Sequence, residues 1–370
     1  MRSPNLRVAH HSLAFVLAVG LIAAAPGGSG TAQAPAGLAA NIARLSEPGG
    51  YFNTDNLISN ERSYLHVVPS LRKAGIEGGA YIGVGPDQNF SYIAQARPSI
   101  AFIIDIRRDN LLLHLLFKAL FRLAHSRVEY LSLLFGRPPP AETDVWRSAD
   151  IDRLLDTIES PAIASQATSS LRARVDAVIK GFGVPLSAED LTTIDRYHRT
   201  FIARGLTLKF ETTGRGPLSY YPTYGELLRE TDRQGHRWNF LASEDDFQFV
   251  RSLQVRDLII PVVGDLSGPS ALRAIGKMMS ERGDKLSAFY ASNVEFYLFR
   301  EGTFSRFVEN LSHLPHSNHS LIIRAVFAGA LPSQLAPGYA SASIVQSVDE
   351  LLQGFAEGRF RDYRDLTIGR

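Results

Sequence analysis

The stretch Tyr81–Asn110 reads YIGVGPDQNFSYIAQARPSIAFIIDIRRDN. A short apolar run meets Gly83 and Gly85. Pro86 follows where a first helical turn tolerates it, and Asp87 is favourable at a helix N-terminus. Pro98 stops the helix that these residues predict. The next run, SIAFIIDI, is continuously apolar, as strands of parallel sheets are. Strand, glycine turn, helix and strand in this order predict a βαβ unit. Glycines let the backbone approach a ligand, and a helix N-terminus offers free N–H groups. Asp105 ends the second strand about twenty residues on, where nucleotide-binding folds place an acid for ribose hydroxyls. Gln88 stands where a dinucleotide fingerprint has its third glycine, which disfavours a pyrophosphate ligand.

The alternation continues outward. NLLLHLLFKALFRLAHSRVEYLSLLFG, starting at Asn110, is a long apolar helix or helix pair stopped by Gly136. DLIIPVVGDL, KLSAFYAS and SLIIRAVF read as further strands. SGPSALRAIGKMMSERG and SIVQSVDELLQGFAEGR read as helices. Residues 138–250 break the pattern: amphipathic helices separated by polar turns form an insertion that could cover one edge of the sheet. Ser187 and Asp190 make a capping box there. Upstream, SNERSYLHVVPSLRKAG (Ser59–Gly75) predicts a helix with Leu65, Val68 and Leu71 on one face, interrupted at Pro69.

The chain of 370 residues is 45% hydrophobic and 21% charged, enough to bury a sizeable core. A net charge of +2 without a long basic run offers no steering toward nucleic acid. With no cysteine, disulfides, thiolate metal sites and cysteine nucleophiles are excluded. At the N-terminus, Arg2 and Arg7 precede an apolar core, Leu13–Ala25, and an Ala32-Gln33-Ala34 exit. This is the secretory signal pattern, with cleavage expected after Ala34 and an exported, periplasmic or secreted product without a stable membrane anchor. His313, His316 and His319 sit in a Pro- and Asn-containing stretch, so a solvated turn is expected there and no metal site. Tyr220, Tyr221 and Tyr224 are expected to pack within the insertion.

GVGP, FIIDIRR, IPVVGDLSG and FYASNVEFYL occur in the order of the strand-end motifs of class I S-adenosylmethionine-dependent methyltransferases, and the chain resembles that superfamily over about 79–135 and 257–327. The resemblance implies a Rossmann-like, mostly parallel sheet in one domain over 35–370. It implies S-adenosylmethionine as cofactor, held by Gly83, Gly85, Asp105, Asp265 and Ser292; Pro86 and Asn89 at the start of the first helix and Arg107 beside Asp105 are further cofactor-binding candidates by position. Asn293 and Glu295 are the catalytic candidates, Asn293 for orienting an acceptor and Glu295 as a base. The chain departs from the family at Tyr81, where an acid commonly stands two residues before the first glycine. The competing expectation is an exported, non-enzymatic protein that binds a small ligand or a partner on the same fold.

Overall fold

The computed structural model describes residues 37–159, 165–327 and 335–367. The expected signal sequence, residues 1–34, lies outside them. The described residues hold six strands, β1 (Ala80–Gly83), β2 (Ile100–Asp105), β3 (Ile259–Val263), β4 (Leu286–Ser292), β5 (Leu321–Phe327) and β6 (Ser341–Ser347). They form one sheet in the order β3-β2-β1-β4-β5-β6. The first five are mutually parallel, and β6 runs antiparallel to β5 at the edge. The protein is therefore a mixed α/β fold on a mostly parallel sheet. Chain order reverses direction across β1 and β4, which leaves a crevice at their C-terminal ends.

The helices before and after the first unit are α1 (Leu38–Leu45), α2 (Val68–Lys73), α3 (Gln88–Ala96), α4 (Arg108–Leu123) and α5 (Arg127–Leu134). A 3-10 turn over Arg62–Val67 leads into α2, so the break expected at Pro69 takes this form, with Pro69 in the first turn of α2. Next come α6 (Ile151–Glu159), α7 (Ser165–Lys180), α8 (Ala188–Arg204), α9 (Tyr224–Arg229) and α10 (Glu244–Val255). The last four are α11 (Ala271–Arg282), α12 (Val294–Glu301), α13 (Phe304–Ser312) and α14 (Val348–Ala356). Helices α3, α4 and α10 pack together beside β1, β2 and β3, while α1, α11, α13 and α14 form a second packed set. Every residue of β1 and β3 is buried, as continuous apolar strands between two helical layers must be.

Two expectations change. The segment from Ser343 is not one helix. Its first residues belong to β6, whose burial alternates because an edge strand has one face on the core and one toward water. The helical insertion covers α4 and not a sheet edge: α7 and α8 pack on α4. That second cover explains why Asn110–Phe121 is buried all around. The capping box at Ser187 and Asp190 is present.

Residues 46–50 strap the C-terminal ends of β2 and β3. Glu47 N–H donates to the Val263 carbonyl and Gly50 N–H to that of Ile106. The Glu47 carboxylate accepts the backbone N–H groups of Asp265, Ser270 and Ala271 at 2.8–3.0 Å and so caps α11. Gly268 makes room for it: a Cβ there would lie 1.8 Å from Glu47 Oε1. Glu47→Ala orphans these donors, and its thermal unfolding should show a loss of roughly 1–3 kcal/mol. A melting temperature equal to wild type would remove the strap from the stability of this end of the sheet.

Candidate functional site

The turn between β1 and α3 is built around Asn89. Its side-chain nitrogen donates to the carbonyls of Val84 (2.9 Å) and Pro86 (2.8 Å), and its oxygen accepts the Tyr81 hydroxyl at 2.8 Å. Gly83 is what admits this side chain, since a Cβ would sit 1.9 Å from Asn89 Oδ1. Asn89 and Gly83 therefore hold the loop from within, and neither faces the cleft as their sequence positions suggested. Tyr81, standing where an acid was expected, is the third member of this lock. Gly85 has φ +83°, a conformation that favours glycine, and its carbonyl accepts from His114 on α4 at 2.9 Å. Burial pushes His114 down to about 4, so the imidazole is neutral and donates this bond from Nε2. Asp87 is buried below the loop with the Tyr224 hydroxyl as donor, and burial pushes its carboxyl up to about 6.

Above this turn a cleft of about 200 Å³ opens across the strand ends. Gly85, Asp105, Arg107, Asp265, Ser292 and Asn293 line it together, although they come from four strands far apart in sequence. Gly83, Pro86, Asn89 and Glu295 are not on its wall. Asp105 is gripped by Arg107: Nε donates to Oδ1 at 3.0 Å, Nη2 to Oδ2 at 2.7 Å, and the Arg107 backbone N–H also reaches Oδ1. Arg107 Nη1 continues to the Thr54 carbonyl. Asp265 Oδ1 accepts from the Ser267 N–H and hydroxyl, closing its own loop. Glu295 points instead toward β5, where it forms a fully buried ion pair with Arg324. That carboxylate is committed to the guanidinium and is not placed as a base. Ser292 lies between the two directions. It carries φ +52° at a bulge where β4 leaves its register with β5.

Sequence reasoning missed a buried carboxyl on the cleft wall. Glu61, 2% exposed, accepts the hydroxyls of Tyr290 and Ser292. No cation among the described residues pairs with it, so burial dominates and pushes its carboxyl up to about 7. The Gln88 amide nitrogen donates to the Tyr290 hydroxyl at 3.2 Å, while Gln88 Oε1 is buried in the cleft without a partner. Glu61 sits in the polar run SNER, ahead of an apolar segment, and meets Tyr290 across 229 residues. No local pattern carries that signal.

The inner cleft is smaller than typical small-molecule sites of roughly 300–1,000 Å³. It shares Phe52, Asn60, Phe210, Asn293 and Tyr297 with an outer groove of about 890 Å³. Tyr220 and Tyr221 line that groove, whereas Tyr224 packs in the core. The expectation of packing thus holds for one tyrosine of the three. His313 and His316 spend Nδ1 on the carbonyls of Glu309 and Leu314, and no metal-ligating group of three His, Asp or Glu occurs among the described residues.

A family model described as a domain of unknown function (DUF7790) matches residues 56–143 and 202–366, more than half of the chain. The chain belongs to this family. In DUF7790 terms the matched segments carry Glu61, Gly85, Asp105, Asp265 and Ser292, and the unmatched stretch holds α6, α7 and most of α8. A comparison with curated proteins gives no match.

Glu61 makes stability depend on pH. Below its ordinary value of 4.5 it is protonated folded and unfolded, and costs nothing. Between 4.5 and about 7 the folded chain keeps a proton that the unfolded chain releases, so stability falls as pH rises. Denaturant titrations of Glu61→Gln should show this slope flattened, with a gain approaching roughly 3 kcal/mol above pH 7. Asp87 adds a slope of the same sign between 3.8 and about 6, which Asp87→Asn isolates. A Glu61→Gln profile parallel to wild type would contradict this assignment. Glu295→Gln should destabilise by roughly 3–5 kcal/mol at all of these pH values, because it strands a buried guanidinium.

Proposed function

We propose that this DUF7790 protein is a methyltransferase-type enzyme that binds S-adenosylmethionine in the strand-end cleft. The observation that carries the reading is the convergence of Gly85, Asp105, Asp265 and Ser292 on one cavity, at the point where strand order reverses. The antiparallel last strand beside β5 supports a sheet of the methyltransferase type within the α/β class.

Individual polar groups on the cleft wall match groups of such a ligand. Gln88 Oε1 is a buried acceptor in need of a donor, which the ligand's ammonium group supplies. Gly85 leaves the backbone open to close approach. Asp105 Oδ2 accepts only one hydrogen bond from Arg107 and so keeps a position for a ribose hydroxyl. When bound, the ligand supplies an electrophilic methyl group on a sulfonium. The chain's own work is alignment: Asn293 orients an acceptor, and Glu61 takes the acceptor's proton from within the cleft. A carboxyl near 7 suits that transfer at neutral pH. Methyl transfer depends mainly on such positioning.

The second reading is ligand binding without methyl transfer, and the grip of Arg107 on Asp105 favours it. Calorimetric titration with S-adenosylmethionine tests the cofactor on which the first reading depends. The proposal expects saturable binding that Asp105→Ala weakens at least about tenfold, about 1.4 kcal/mol. Absence of heat and of any thermal shift at millimolar ligand would contradict it.

A further inference from the structure

The outer groove has a composition of its own. Its walls are rings locked edge to face. Phe52 meets Tyr297 at 5.0 Å, Phe210 meets Tyr221 at 5.3 Å, Tyr220 meets Tyr221 at 4.9 Å, and Phe296 meets Tyr297 at 5.3 Å. Six large apolar side chains are exposed among the described residues, and four of them, Tyr51, Phe52, Tyr220 and Phe296, border the cleft or the groove. Single exposed rings are ordinary, but a cluster at the mouth of a cavity marks a binding surface.

The rim is cationic. Arg300, Arg361 and Arg364 line the groove, and none has a carboxylate partner among the described residues, whereas Arg107, Arg108 and Arg324 are all paired. Arg300 lies 5.6 Å from the centre of the Phe296 ring. The one carboxylate on the lining, Asp362, turns back to accept the backbone N–H groups of Arg364 and Asp365. It forms no ion pair with the arginines, which outnumber it on the lining. Aromatic walls beside guanidinium groups that lack carboxylate partners complement a planar ring that carries a negative charge.

We propose that the outer groove binds an aromatic acid, a small molecule with a planar aryl ring and a carboxylate, and presents it to the inner cleft through the shared wall at Asn293 and Tyr297. That this ligand class is the methyl acceptor rests on the methyltransferase reading; its binding to the groove does not. The guanidinium groups hold the carboxylate and the rings hold the aryl plane.

The test is calorimetry on the purified protein with three probes: 2-naphthoate, cyclohexanecarboxylate and 2-naphthalenemethanol. The expected result is saturable binding of 2-naphthoate, with the ring-less acid and the uncharged ring each weaker by about tenfold or more. Arg300→Gln combined with Arg364→Gln should weaken 2-naphthoate by a similar factor and leave 2-naphthalenemethanol unchanged. Tyr220→Ala should weaken both ring-bearing probes. All three positions are exposed, and unchanged melting temperatures would show that the variants fold; the probe ranking on the wild-type chain decides the matter even if one does not. Absence of 2-naphthoate binding, equal affinity for the three probes, or an affinity indifferent to the double substitution would overturn the proposal. A chain that binds 2-naphthoate and not S-adenosylmethionine contradicts the methyltransferase reading alone. One that binds S-adenosylmethionine and not 2-naphthoate contradicts the groove assignment alone.

Discussion

Asn89 is the side chain on which the rest of the site depends. Two carbonyls and one hydroxyl converge on its amide, and together they fix the path from β1 into α3. An amide satisfies this demand because it offers donors and an acceptor together. A carboxylate could not donate to Val84 and Pro86, and a larger side chain would not fit over Gly83. With the turn fixed, Gly85 projects at the strand ends and Gln88 lies across the cleft toward Tyr290. The glycine that seems made for a ligand thus serves the protein's own packing, and the second glycine is the one left facing the cavity.

The floor under that turn is polar and electrically quiet. His114 is held neutral, and Asp87 and Glu61 are drawn toward protonation by burial. Tyrosine hydroxyls serve both acids in place of cations. Such an arrangement costs stability when a carboxylate ionises, and it holds the Glu61 carboxyl near neutral pH on the cleft wall. The Asp105–Arg107 pair lies on the cleft wall, and any ligand that uses Asp105 must share it with that guanidinium.

Much of the architecture was legible because fully buried strands write themselves as continuous apolar runs. AYIG, IAFIID and IIPVV leave no alternative period, and each ends at or within two residues of one that lines the cleft: Gly85, Asp105 and Asp265. The edge strand β6 was not legible: SASIVQS alternates weakly and runs straight into the helical VDELLQGFA. Within the site, Asp105, Asp265, Ser292 and Asn293 were readable from their place at strand ends. Glu295 was not, because the bulge at Ser292 turns the next residues toward Arg324. Glu61 escaped for a different reason. It enters the cleft on a connecting segment, and its partners are set by tertiary packing alone.

The central claim is that the strand-end cleft is an adenosyl site whose ribose edge is Asp105. A crystal structure of the chain grown with S-adenosylhomocysteine, the demethylated form of the donor, tests it most directly. The account predicts ligand density against Gly85, a hydroxyl on Asp105 Oδ2 and a ligand nitrogen at Gln88 Oε1. Density elsewhere on the molecule, or an undisturbed cleft at saturating ligand, would contradict it.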